Sequence, residues 1–372
     1  MPPSIKLTEK LPWNYYRYIT GFLVLGFSYW PAGISTFYTP YIFKPISNFL
    51  RFLFGKIYFP IGELVYLALV IILIFSCLKW IWVYRNDFKY LSFWKHQLVK
   101  WLNGFFAIFI VFELIWGLNY QKLDPSKDFK LKVPLVYTER QMDSLSQKLI
   151  NGLNFTRSKM GDFDPKMMNF DTILSQNRVE FAKNAQNRPF LKYQNTSFKK
   201  AIFPSWGDYF GYLAFYQPLT GEAVIRGDLP PFTWPFTISH EIAHQLGYAS
   251  EEQANFIAFV IGIESEQPVF NYATQLQLFT YAQYAHLNFI AKRADFALYK
   301  EIVERNKKLL HPQVLEDRRL IKAFFREKQD LQIKGTEEMY NQFLIWNKQT
   351  KGIESYNDVL LWVLAYESKK NP

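Results

Sequence analysis

The residues best suited to chemistry are His240-Glu241-Ile242-Ala243-His244. Histidine is scarce in this chain, occurring only at His96, His240, His244, His286 and His311, and two of the five fall in this one motif. On a helix, residues four apart share a face, so both imidazoles can reach a single Zn²⁺ while Glu241 projects beside them toward a metal-bound water. Zinc lowers the pKa of such a water, and a glutamate takes its proton as it attacks a carbonyl. The spacing therefore predicts zinc as cofactor, His240 and His244 as ligands and Glu241 as general base.

A third protein ligand is needed. The pattern H-E-x-x-H-x-x-G-x-x-H would require a histidine at position 250, which is Ser250. Ser250 and Gln253 instead predict a capping box opening a new helix. In glutamate-ligated zinc hydrolases the third ligand is a Glu on a second helix, with Asp or Asn four residues later orienting a ligating histidine. Glu251 and Asn255 fit that spacing, and Glu251 is preferred to Glu252, although first-turn charge favouring the helix dipole also accounts for both glutamates. An oxyanion donor would come from the C-terminal part, where Tyr272, Tyr281, Tyr284 and His286 are candidates and Tyr272 is the choice. Glu222–Arg226 reads as a short strand, either an edge that pairs with an extended peptide or an ordinary member of a sheet.

These residues need a scaffold. Pro235 precedes the motif, Thr237 or Ser239 is placed to start its helix, and Gly247 to stop it. Tyr137–Leu153 and most of the chain from Ser250 onward have helical periodicity. The fold class is mainly α (α+β): a helix-rich, zincin-like hydrolase domain with a small β-sheet over residues 121–372, preceded over residues 1–120 by three transmembrane helices at about 18–38, 62–84 and 101–120. Trp30, Trp80, Trp82, Trp101, Trp116 and Tyr120 lie near the predicted span ends, where amphipathic rings favour the headgroup region. Basic residues divide seven to seven across the two sides, and only Lys79 tips the C-terminal part to the outside of the cytoplasm.

Composition narrows the classes further. Apolar residues at 49% and aromatics at 19% suffice for a large core. The net charge of +11 is scattered among acids and forms no nucleic-acid motif, so it is read as supporting contact with anionic lipid. Cys77 is the only cysteine, which excludes a disulfide framework and a thiolate zinc site.

The run Gln217-Pro218-Leu219-Thr220-Gly221-Glu222-Ala223, the pair Pro230-Pro231, and His240 to Asn255 as H-E-I-A-H-Q-L-G-Y-A-S-E-E-Q-A-N resemble a bacterial membrane family, the domain of unknown function DUF3810. The likeness extends over nearly the whole chain, including the N-terminal spans and the stretch Gly352-Ile353-Glu354-Ser355-Tyr356. It implies a zinc metallopeptidase of the inner membrane, multi-pass, acting on a peptide or protein near the membrane surface. The E-x-x-A-N element is also similar to that of other glutamate-ligated peptidases, which implies Glu251 as ligand and Asn255 as the group that orients a histidine. Gln253 departs from the acid frequent there in related sequences. Two other functions stay open: zinc hydrolysis of another amide or ester of the envelope, and metal binding or signalling without turnover.

Overall fold

A computed structural model describes residues 13–161, 167–328, 331–332 and 356–370. Gly352–Ser355 of the resemblance lies outside the described residues. These residues are mainly helical with one three-stranded sheet among them.

Among the described residues two helices, not three, are long and apolar enough to cross a membrane: Ile61–Tyr84 and Leu91–Ile115. Their side chains are largely exposed, the pattern of helices surrounded by lipid, and they indicate membrane association. The expected first span at about 18–38 is not one helix. Trp13–Phe27 has 15 residues and stops before Pro31, so at 1.5 Å per residue it covers about 22 Å of a ~30 Å hydrocarbon layer. It packs along Leu91–Ile115, where Gly21 admits the Phe106 ring so closely that a Cβ would sit 2.6 Å from it. The chain then winds as a π-helix over Ile34–Phe43. Pro40 lies inside that stretch and disfavours ordinary i to i−4 bonding, and the Lys44 amide reaches back five residues to Thr39 O. The helix Lys44–Phe54 follows directly. The expected third span begins ten residues earlier than residue 101 and ends at Ile115, where Gly117–Gln121 tightens into a 3₁₀ turn.

In the sheet, β1 (Phe198–Lys200) pairs parallel with β3 (Glu222–Ile225), and β2 (Ala214–Gln217) pairs with β3 antiparallel, with Gln217 opposite Glu222. The strand expected at Glu222–Arg226 is thus the central one, closed on both sides and wholly buried, so the edge-strand reading fails for it. β2 is the edge beside it.

The motif helix Trp234–Gln245 runs through the middle of the core, packed on the helices Glu251–Ile263, Phe170–Asn187 and Pro268–Lys292 and on the sheet. Ile238 and Ile242, one turn apart, are fully buried with Ala243 and place the histidines on the opposite flank. The helix starts at Trp234 rather than at Thr237 or Ser239. A 3₁₀ turn at Pro231–Thr233 leads in, and Pro235 occupies the first turn, where a missing N–H costs nothing. The Thr237 and Ser239 hydroxyls instead donate back to Thr233 O and Pro235 O.

The sheet is bolted to the start of the first span. Glu222 accepts hydrogen bonds from the amides of Ile61 and Gly62 at 3.1 and 2.6 Å, and from Lys199 Nζ. Lys199 also donates to Phe54 O and Phe59 O, each at 2.9 Å. In return Glu63 Oε2 accepts from the Ile202 amide at 2.8 Å. Removing one partner of a buried ion pair leaves the other charge uncompensated. Glu222→Ala is expected to cost about 3–5 kcal/mol and the paired Lys199→Met, Glu222→Leu variant much less, read by denaturant unfolding in detergent.

At the far side, Glu264 ties the helix Glu251–Ile263 to the C-terminal helix Tyr356–Lys370. Burial alone would raise its pKa, but hydrogen bonds from Arg188, Lys370 and Tyr366 outweigh this and bring it from 4.5 down to about 2. A depressed carboxylate stabilises the fold above its ordinary range and loses that contribution as pH falls toward about 2. Acid unfolding of wild type should therefore be steeper below pH 4.5 than that of Glu264→Gln, measured by circular dichroism across the titration.

Candidate functional site

The motif helix and the one after it bring three groups together. One ligand atom each of His240, His244 and Glu251 lies within 4.8 Å of the others. His240 Nε2 is 3.2 Å from Glu251 Oε2 and His244 Nε2 is 3.9 Å from Glu251 Oε1, while the two rings stand nearly perpendicular with centroids 4.7 Å apart. Glu251 is the most exposed of the three, so the cluster opens on its side. Glu251 rather than Glu252 is the carboxylate in this group.

Each imidazole is held from behind. His240 Nδ1 is 2.8 Å from Asn255 Oδ1, one turn beyond Glu251 on the same helix. His244 Nδ1 is 2.7 Å from the carbonyl of Tyr248, an atom that can only accept, so that nitrogen carries the proton and Nε2 presents a lone pair. The Tyr248 carbonyl arrives there because of Gly247. At φ +87° it ends the helix in a Schellman turn, with Gly247 N donating to His244 O and Tyr248 N to Ala243 O. A Cβ at Gly247 would lie 3.0 Å from Asn119 Oδ1 and the Phe43 ring. The expected capping box does not form: Ser250 is the N-cap, but its hydroxyl and Gln253 Oε1 are buried with no hydrogen-bond partner among the described residues.

Glu241 is buried, and its Oε2 has no hydrogen-bond partner among the described residues. Burial, with the nearby charge of Glu251 adding to it and that of His240 opposing, pushes its pKa up to about 8. Burial and the neighbouring His240 push His244 down to about 4, although Glu251 and the Tyr248 carbonyl act the other way. For His240, burial is outweighed by Glu251, Glu241 and Asn255, and the pKa rises.

Tyr272 is not brought to this cluster. Its hydroxyl donates to Asp317 Oδ2 at 2.6 Å, in a buried network completed by Arg157 at 3.0 Å from the same oxygen. Tyr284 is exposed, and His286 is buried 3.6 Å from Asp143. The aromatic groups that do reach the site come from the end of the second span. The Trp116 ring meets His244 edge to face at 6.0 Å, and Tyr216 of β2 packs on Trp116 at 4.7 Å. Burial raises the Tyr120 pKa against a hydrogen bond with Trp116, and the charges of Glu251 and Glu252 raise it further. Sequence reasoning took Trp116 and Tyr120 for headgroup anchors; their following an apolar span was the only local signal, and it pointed to lipid.

The chain is thus a mainly helical, membrane-associated protein with a partly buried histidine–glutamate cluster that opens on the Glu251 side. The family model described as protein of unknown function (DUF3810) matches residues 38–364, and the chain belongs to that family. No curated protein and no solved structure matches it.

Asn255→Ala should leave the fold unchanged, and any zinc supplied to the cluster should bind about 10–100-fold more weakly than to wild type, the range for loss of a hydrogen bond that orients a histidine in such a site, measured by competition with a chromogenic chelator.

Proposed function

We propose that this protein is a multi-pass, zinc-dependent hydrolase of the bacterial inner membrane, a gluzincin-like metallopeptidase with its site outside the cytoplasm. The observation that carries this reading is the convergence of two imidazole Nε2 atoms and one carboxylate, with the remaining nitrogen of each ring tied to an acceptor. Two nitrogens and one carboxylate oxygen suit zinc with a fourth position left open. His240, His244 and Glu251 would hold the ion, which when bound acidifies water and polarises a carbonyl. Glu241 is the proton acceptor. It is adjacent to His240 in sequence, its buried Oε2 has no hydrogen-bond partner among the described residues, and the charge of a bound zinc would counter the burial that raises its pKa, leaving a carboxylate to take the proton.

β2 supports a peptide as substrate. It is an edge strand among the described residues, it packs on the motif helix, and through Tyr216 and Trp116 it connects to His244. An extended chain adds to such an edge by main-chain hydrogen bonds.

Purified wild type in detergent should carry about one zinc per chain, lost in His240→Ala and Glu251→Ala and kept in Glu252→Ala and Glu241→Gln. Glu241→Gln should lower hydrolysis of an unstructured protein by about 10²–10⁴-fold. A well-folded wild type that takes up no zinc when supplied with it would end the enzyme reading. Zinc binding without hydrolysis in wild type would favour a non-catalytic role.

A further inference from the structure

The helix Lys44–Phe54 is turned inside out relative to a helix on the surface of a water-soluble protein. Its polar stripe, Lys44, Ser47 and Arg51, faces the protein. Lys44 Nζ donates to Phe190 O at 2.9 Å, and Arg51 Nε to the carbonyls of Gln194 and Asn195. Arg51 Nη1 and Ser47 Oγ both donate to Gln245 O, at 2.8 and 3.2 Å, the last carbonyl of the motif helix. The opposite stripe, Ile46, Phe49, Phe52 and Leu53, is exposed, Phe49 at 61% and Phe52 at 53%. Surface helices in water bury the apolar stripe, so this reversal fits surroundings that are apolar on the outer side.

Chain continuity identifies those surroundings. Only Gly55–Pro60 separates the helix from the span Ile61–Tyr84, whose first amides are clamped by Glu222. Tyr58, 97% exposed, and Phe59 carry the apolar surface across that gap. Lys56 lies with its ammonium 5.4 Å from the Phe52 ring, at the border where lipid phosphate would meet it.

We propose that Lys44–Phe54 lies in the plane of the bilayer surface, with Ile46, Phe49, Phe52 and Leu53 in the acyl boundary of one leaflet. The occupant of this face is lipid. Through Arg51 and Ser47 the helix fixes the end of the motif helix that carries His240 and His244. This inference rests on the membrane reading of the two spans and not on hydrolysis.

The test uses the full chain with Cys77→Ser and one environment-sensitive fluorophore on a single cysteine, in nanodiscs of phosphatidylethanolamine and phosphatidylglycerol, with near-UV circular dichroism as a fold check. Positions are F49C and F52C, the mid-span controls I72C and I108C, and the exposed soluble-part controls Y284C and F296C. Expected is quenching at Phe49 and Phe52 by doxyl-labelled lipid as at the mid-span controls, and about tenfold less quenching by iodide than at the soluble-part controls. Mid-span controls quenched by lipid while Phe49 and Phe52 behave like Tyr284 would overturn the proposal and leave the spans in place. Shielding of Phe49 and Phe52 from both quenchers would also overturn it, by showing protein, such as a second copy, on this face. Failure of lipid quenching at Ile72 and Ile108 would remove the membrane reading and this inference with it.

Discussion

Gln245 is where the architecture is joined. The residue after the second motif histidine is completely buried, and its side-chain amide, side-chain oxygen and main-chain carbonyl are all bonded. Its side-chain amide donates to Ser197 O and Gly221 O, the carbonyls just ahead of β1 and β3, at 2.9 and 2.8 Å. Its side-chain oxygen accepts from Tyr193 OH at 2.5 Å, and its main-chain carbonyl accepts from Arg51 and Ser47. A helix C-terminus inside a core leaves carbonyls that cannot reach water, and each needs a donor. Supplying those donors links the sheet, the motif helix and the helix Lys44–Phe54 in one network.

That network gives the histidine cluster its rigidity. The motif helix cannot rotate without breaking bonds at Gln245, and the turn at Gly247 presses the Tyr248 carbonyl onto His244. On the other side of Tyr248, its hydroxyl donates to Asp128 and Lys122 sits over its ring at 3.5 Å. Burial lowers the Lys122 pKa to about 8 against the pull of Asp128. Polar groups in such surroundings hold geometry because each has one arrangement that satisfies it.

Much of this was legible in the sequence where the relevant physics is local. The i, i+4 spacing of His240 and His244, the Glu251 to Asn255 interval and the stop at Gly247 all depend on helix geometry within a few residues. So does the mainly helical class. What required partners distant in the chain was missed. Tyr272 was chosen from many tyrosines, and its engagement by Asp317 depends on a residue 45 positions away. Glu222–Arg226 reads from sequence as either an edge or an ordinary member of a sheet, and two neighbouring strands and two span amides decide for the second. The run at about 18–38 had the composition of a span, but Pro31 and Pro40 redirected it into a short helix and a π-helical stretch. Lys44–Phe54 went unread because a helix that buries its charges reverses the usual pattern.

The placement of Glu222 has a consequence for biogenesis. Its acceptor oxygens are filled by backbone amides roughly 160 residues earlier in the chain, and the carbonyls that hold Lys199 lie about 140 residues earlier. During synthesis the helix Ile61–Tyr84 emerges long before the sheet exists, so its amides at Ile61 and Gly62 are made well ahead of the carboxylate they bind. The sheet is then completed on a helix made well before it, and contacts of such sequence separation make this a slow, late step. A fragment beginning after the spans would have to assemble the same sheet around a carboxylate and an ammonium each stripped of two of its three partners, so the residues around the start of the first span are part of what completes the sheet.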